Sequence, residues 1–249
     1  MIDIRTRLRA GKPCLGAWLG IPHPQSAEAM ASLGFHWLAV DMEHGTASVD
    51  QAAACFLAAE RHGCLPMARL PSADPYLARR LLDGGARGLI VPVVEDAGAF
   101  AAFAAHCLYP PKGRRGVGLQ RANRWGDDFE AALAGPGPLL VPQIETAKGV
   151  AAAGAIAALD AVDALFLGPY DLSADLGAPG DWQAPAFKDA IGAVRTAAGK
   201  AGKPTGIHQV TPDAKALAEV LAAGHRFVAC STDIIAMRAA LAPLAALGR

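Results

Sequence analysis

Charge of one sign has no excess in this sequence: 23 Lys and Arg face 23 Asp and Glu over 249 residues, a formal net charge of zero. No global field therefore draws the chain to nucleic acid or to a membrane surface. Aromatic residues are scarce, at 6% beside 53% hydrophobic content, so Ala, Leu and Val must build most of the core. The five cysteines (Cys14, Cys55, Cys64, Cys107 and Cys230) are odd in number and include no CxxC pair. That excludes a disulfide framework and a zinc knuckle, and leaves them as small hydrophobes. No run reaches the roughly 18 apolar residues of a membrane helix. The basic N-terminal stretch from Met1 to Arg9 is followed by no apolar segment of the signal-peptide kind. The expected location is the cytoplasm.

What is present is an alternation of short apolar runs with longer Ala-rich helical stretches. Candidate strands are residues 16–20, 37–41, 66–69, 88–92, 139–144, 164–167, 204–207 and 227–230. Helical periodicity is expected over 49–61, 75–83, 97–106, 146–159, 185–198, 212–223 and 234–247. Strands that are apolar on both faces belong in a buried parallel sheet, and eight βα units in this length match a (β/α)8 TIM barrel. One domain over residues 1–249 is expected, since no linker or interior boundary is visible. The longest interruption, residues 108–128, carries Lys112, Arg114, Arg115, Arg121 and Arg124. A loop of that length is more often functional than idle, and it is read as either a solvated surface or an electropositive rim for an acidic aldehyde or for a neighbouring subunit's site.

In such a barrel, catalytic groups stand at the C-terminal strand ends. The second strand there ends in Asp41-Met42-Glu43-His44 and the third in Arg69. The fifth ends in Gln143-Ile144-Glu145, the sixth runs into Gly168-Pro169-Tyr170-Asp171, and the seventh ends near His208. Glu145 and Asp171 lie 26 positions apart, enough for one helix and a return strand, so both carboxylates reach the same rim. Two hard oxygen ligands placed so suit Mg²⁺, Mn²⁺ or Co²⁺, with the other positions left to water and substrate. No lysine stands at a strand end, so a Schiff-base route lacks a nucleophile. No GxSxG elbow, Walker loop or GxGxxG after the first strand is present.

The segments Gly16-Ala-Trp-Leu-Gly20, Asp41-Met-Glu-His44, Tyr109-Pro-Pro-Lys-Gly113, Arg115-Gly-Val-Gly118, Gln143-Ile-Glu145 and Gly168-Pro-Tyr-Asp-Leu-Ser173, with Arg69, cover the chain almost end to end. Together they resemble the metal-dependent 2-oxo acid aldolases typified by 4-hydroxy-2-oxoheptanedioate aldolase and 2-dehydro-3-deoxyglucarate aldolase. The resemblance implies a barrel of the phosphoenolpyruvate/pyruvate-binding type. It implies reversible cleavage of a 4-hydroxy-2-oxo acid to pyruvate and an aldehyde. Glu145 and Asp171 correspond to metal ligands, Arg69 to the group on the 2-oxo oxygen, and His44, oriented by Asp41, to the acid/base. Gln143, Gly168, Pro169, Tyr170 and Asp171 correspond to the pyruvate-site lining. A homo-oligomer, a trimer of dimers with an exchanged C-terminal helix, is implied as well. Tyr170, Met42 and His208 depart from the family pattern and bear on specificity.

Each reading has a bland rival. Asp171 and Glu145 alone read as helix-end carboxylates, Arg69 as an ion-pair partner, Glu43 as a structural salt-bridge residue and His208 as pocket lining. Competing functions are an oxaloacetate decarboxylase, a lyase for CoA-linked hydroxy acids, or a non-catalytic small-molecule binder.

Overall fold

The structure, a computed structural model, describes residues 3–248. Eight strands form in chain order: β1 (Cys14–Leu19), β2 (Trp37–Asp41), β3 (Leu65–Arg69), β4 (Gly88–Val91), β5 (Leu139–Ile144), β6 (Leu165–Leu167), β7 (Thr205–Gln209) and β8 (Phe227–Thr232). Each pairs in parallel with the next, and β8 pairs in parallel with β1, so the sheet closes into a barrel. The helices are α1 (Ile4–Arg9), α2 (Pro24–Ala31), α3 (Val49–Arg61), α4 (Pro75–Asp83), α5 (Ala97–Cys107), α6 (Phe129–Ala134), α7 (Ala147–Ala157), α8 (Pro169–Asp175), α9 (Pro185–Lys200), α10 (Ala214–Ala222) and α11 (Asp233–Ala246). Side-chain caps start most of them just after a strand. Ser48 and Gln51 form a capping box on α3, and Asp74, Asp96, Thr146, Asp213 and Thr232 accept from first-turn amides. Satisfying those otherwise orphaned N–H groups lets each chain segment turn from strand to helix within a few residues.

Alternation along the strands divides the core in two. Cys14, Trp18, Trp37, Ala39, Leu65, Met67, Ile90, Val141, Phe166, Phe227 and Ala229 fill the barrel interior, while Leu19, Val40, Ala68, Leu89, Ile144 and Leu167 face the helices. The few aromatic residues are concentrated inside. Trp37 stacks on Phe227 at 4.4 Å between centroids, and Phe166 meets both Phe227 and Trp18 edge-on. Glycines on neighbouring strands make room: a Cβ at Gly16 would enter the Trp37 ring, and one at Gly206 would lie 2.7 Å from Phe166. At the seam, Asp233 accepts from the amides of Gly20, Ile21 and Ile234 and from the Ser26 hydroxyl, at 2.8–3.1 Å. This one carboxylate ties the start of α11 to the loop after β1.

The expected barrel is present, and β2, β5, α3 and α4 have the expected bounds. β7 and β8 each run two residues further than expected, which places His208 inside β7. α1, α2, α6, α8 and a 3-10 turn at Arg121–Gly126 were not expected. Each is eight residues or fewer, too short for a helical period to declare itself in sequence. The basic loop joins α5 to β5 and so lies at the N-terminal end of the barrel, opposite the mouth. There Arg115 pairs with Asp83 at 2.5 Å, Arg124 with Asp128 at 3.0 Å, and Arg121 with Glu60. It borders a cavity of about 660 Å³ lined by Arg87, Tyr109, Arg115 and Leu139. The expectation that it rims this chain's own mouth is therefore corrected: a helix-to-strand connection cannot reach the strand C-termini. All five cysteines are free thiols. Among the described residues no helix is long and apolar enough to cross a membrane.

Gly16→Ala is expected to destabilise the barrel by about 1–3 kcal/mol, because a rigid indole cannot give way to the added methyl. Chemical denaturation measures this; stability equal to the parent would show that the interior layer can shift.

Candidate active site

The inward positions one step above the apolar interior form the floor of the mouth. Asp41 and Arg69 end β2 and β3 in register with each other. Arg69 donates from Nε to Asp41 Oδ1 at 3.0 Å and from Nη2 to Asp41 Oδ2 at 2.6 Å. Its third nitrogen, Nη1, lies 3.1 Å from Glu43 Oε2, and its guanidinium carbon sits 4.5 Å from the Trp18 ring centroid. A guanidinium fixed by two carboxylates and an indole face has little freedom left. Burial alone would raise the Asp41 carboxyl, but the Arg69 bonds and charge and the amides of Glu43 and His44 outweigh it and hold the group low. Glu43 moves the other way: burial, with the charges of Glu145 and Asp41, raises it against the pull of Arg69.

Glu145 follows β5, and its side chain is almost fully buried. Its Oε1 accepts from the Val93 amide at 2.7 Å, and its Oε2 from the Gln143 side-chain amide. Val93 provides that amide from a left-handed backbone, φ 51°. This is a costly conformation for a β-branched residue, so backbone strain is spent on orienting a carboxylate. Gly168 follows β6 directly against this group. A Cβ there would lie 2.7 Å from the Glu145 Cβ and 3.0 Å from the Gln143 Nε2, and would collide with Glu145 Oε2. Pro169 opens α8, and Asp171 stands exposed in its first turn. Burial raises the Glu145 carboxyl, and the nearby Asp171 charge raises it further. Neither acid caps a helix: Thr146 caps α7, and Gly168 stands at the start of α8. The capping reading of both is thus set aside, while Asp171 keeps the first-turn place of a helix-end carboxylate.

His44 differs from expectation. Its ring is 69% exposed, with Nε2 3.9 Å from Glu43 Oε2. Asp41 reaches His44 only through the backbone amide, at 3.3 Å. Asp41 therefore does not orient the imidazole in this chain, because its inward-facing carboxylate is saturated by Arg69; Glu43, set aside on sequence, is the carboxylate beside the ring. Arg69 is an ion-pair partner, as its bland reading held, and also faces the mouth. Tyr170 is exposed and meets Trp182 edge-on at 6.4 Å, outside the floor. His208, in register with inward-facing Ala229, packs edge-on against Trp18 at 5.9 Å. Burial, with Arg69 adding to it, lowers its imidazole to about 4. Met42 packs at the edge of the outer core.

Sequence reasoning passed over Trp18 and Val93, while Glu43, read there as a structural salt-bridge residue, does pair with Arg69. Strand alternation from Gly16 would have found Trp18. Nothing local marks Val93, whose contribution is a main-chain N–H. Three buried polar atoms of this region, Trp18 Nε1, Gln143 Oε1 and His208 Nε2, have no hydrogen-bond partner in the protein. Buried polar atoms are otherwise almost always satisfied, so the cluster marks a place built for a polar ligand. Among the described residues no three His, Cys, Asp or Glu side chains converge into a complete cage for a metal ion. Lys148 pairs with Glu95, and Lys203 donates to the Val162 carbonyl, so neither enters the mouth.

Because the Asp41 carboxyl is held below its ordinary 3.8, its stabilisation is complete above that value and is lost as pH falls through the folded one. Asp41→Asn is expected to cost about 1–3 kcal/mol at pH 7, with the deficit narrowing below pH 3.8. Denaturation curves across that range test it; a deficit independent of pH would trace the loss to packing.

Comparisons with known proteins find relatives over nearly the whole chain. The family model described as HpcH/HpaI aldolase/citrate lyase matches residues 15–240. A 4-hydroxy-2-oxovalerate aldolase of Novosphingobium aromaticivorans is 38% identical over 93% of this chain and 88% of its own length. A hydroxypyruvate/pyruvate aldolase of Chromohalobacter salexigens is 39% identical over 90% and 89%. The crystal structure of an HpcH/HpaI aldolase/citrate lyase family protein from Burkholderia cenocepacia superposes with a TM-score of 0.89 at 33% identity, covering 99% of each chain. With a family model spanning nearly the whole barrel and its two acidic strand ends, this chain belongs to the HpcH/HpaI aldolase/citrate lyase family.

Proposed function

We propose that the chain is a divalent-metal-dependent pyruvate aldolase, a carbon–carbon lyase that cleaves a 4-hydroxy-2-oxo acid to pyruvate and an aldehyde and joins them in reverse. The observation that carries this reading is the placement of Glu145 and Asp171 beside a clamped Arg69 at one barrel mouth. Asp41 and Glu43 hold the Arg69 guanidinium, and the charges of Arg69 and Asp171 both act on Glu145. The excess of negative charge, with Glu145 pushed up by burial and by Asp171, is what a divalent cation would relieve. Two carboxylate oxygens leave room for a chelating 2-oxo acid and water, and hard oxygen donors fit Mg²⁺, Mn²⁺ or Co²⁺. Such a cation would supply Lewis acidity at the ketone oxygen.

The remaining roles fall to the chain itself. Breaking the bond β to the ketone sends an electron pair toward the 2-oxo oxygen, where Arg69 offers a fixed positive group that needs no reorganisation. His44, exposed and free to approach, takes the proton from the 4-hydroxyl in cleavage and returns it in condensation. Glu43 beside it stabilises the cation so formed. Gln143 offers its free Oε1 and holds Glu145. Gly168 leaves room for the Glu145 carboxylate and the Gln143 amide, which any side chain there would displace. Oxaloacetate decarboxylation would use the same floor, so formation of a new carbon–carbon bond with an added aldehyde separates the two reactions.

The exposed apolar residues of α11, Met237, Leu241 and Leu244, support assembly through this helix, in line with a trimer of dimers. Light scattering is expected to give a mass above that of the monomer, and a strictly monomeric, active protein would remove this part of the proposal. The central test is deuterium exchange into the pyruvate methyl group, followed by NMR. Exchange is expected with Mg²⁺ or Mn²⁺ and to stop with EDTA. Glu145→Ala and Asp171→Ala are expected to lower it by about 10²–10³-fold or more, with circular dichroism unchanged. Exchange indifferent to EDTA would sink the metal assignment.

A further inference from the structure

The cavity of about 660 Å³ at the N-terminal end of the barrel takes no part in the chemistry of the mouth. Arginines from separate parts of the fold meet along its wall: Arg87 just before β4, Arg115 in the loop after α5, and Arg121 and Arg124 in the 3-10 turn. We propose that this cavity is a second binding site, for a small oxyanion of phosphate or polycarboxylate type. The proposal does not depend on the aldolase reading of the mouth.

The argument rests on donors left without acceptors. With Arg5, five arginines line the cavity against Asp3, Glu60 and Asp128. Asp163 and Asp83, the partners of Arg5 and Arg115, do not line it. Arg5 is spent on Asp163 and on the carbonyls of Gly137 and Pro138. The other four are not. Arg115 meets Asp83 through Nη2 alone, Arg121 meets Glu60 through Nη2, and Arg124 meets Asp128 through Nη1. Arg87 reaches only the already shared Glu60, at 3.6 Å. A guanidinium carries five N–H donors, so most of those on this wall have no protein acceptor. Two further donors are buried with no partner at all, Arg115 Nε and the Tyr109 hydroxyl. Burial raises the Tyr109 phenol, which keeps its proton to donate, and the Arg115 guanidinium carbon lies 4.5 Å from its ring centroid. Buried donors in this state are rare. A wall of donors with almost no free acceptors suits a ligand that only accepts and carries negative charge, and the planar forks of arginine match paired phosphate or carboxylate oxygens.

The wall is also held in place. The Arg121 side chain lies against Gly85, where an added Cβ would stand 2.6 Å from its Nε. Arg124 and Trp125 are consecutive non-glycine residues with left-handed backbones, φ 51° and 57°, a conformation that persists only where the surroundings impose it. Buried Asn123 imposes it by donating to the Gly118 carbonyl and accepting from the Gln120 amide.

Calorimetric titration of the full chain with inorganic phosphate and, separately, with citrate tests the site. EDTA is present so that no metal–anion complex forms, and the ionic strength is physiological. Saturable binding of one anion per chain is expected in at least one arm, and that arm names the class of oxyanion. Arg87→Gln, Arg121→Gln and Tyr109→Phe are each expected to weaken it by about tenfold. Thermal unfolding reports the folded state of each variant, and the exposed Arg87 carries the test alone if the others do not fold. Absence of saturable binding in both arms would overturn the proposal. So would binding seen only at low salt, which marks an adventitious ion only, or affinity within about twofold of the wild type in every folded variant, which would place the anion elsewhere.

Discussion

The fixed point of the molecule is the guanidinium of Arg69. A cation placed in a largely buried barrel mouth must be compensated, and compensation here comes from Asp41 across the β2–β3 pairing and from Glu43 just beyond it. Both acids are committed by that duty, one pulled down by it and the other pushed up by its surroundings. The commitment decides what is left over. Glu145 is held by the Val93 and Gln143 donors instead of by the guanidinium, and the imidazole of His44 is left to solvent beside Glu43. Much of the site's chemistry is thus a consequence of how one positive charge is neutralised.

The barrel supports this with packing rather than with further charge. A stacked Trp37–Phe227 pair and edge-on Phe166 and Trp18 make a rigid plug beneath the mouth, and the glycines of neighbouring strands allow it to close. Trp18 serves both layers, as part of the plug below and as the surface on which Arg69 lies above. A strained residue does something comparable in the loop after β4. Val93 adopts a left-handed conformation that places its main-chain N–H against Glu145. Rigid support of this kind is what preorganised electrostatic stabilisation requires.

How legible this was in sequence depends on the type of information. The eight-unit barrel could be read because each strand is nearly all apolar and each helix has its own period and cap. The paired acids, Arg69 and Gln143 could be read because strand endings expose side chains at one rim. The partner of His44 could not. Asp-x-Glu-His offers two carboxylates, and the choice between them is made by Arg69 on another strand, a non-local competition that no spacing records. Val93 was hidden for a different reason, since a main-chain donor leaves no trace in residue type. Of the readings of the basic loop, only the rim to this chain's own mouth fails, because charge is visible in sequence but the end of the barrel it occupies is set by connection order.

The buried carboxylate of Asp233 has a consequence for the last helix. It anchors only the first turn of α11, while Met237, Leu241 and Leu244 further along lie exposed. A rod held firmly at one end has its bearing set before anything meets the other. Whatever surface receives those apolar residues must accept an angle of approach dictated by a joint inside this chain, so the geometry of an assembly can be inherited from the fold of a single copy rather than negotiated at the point of contact.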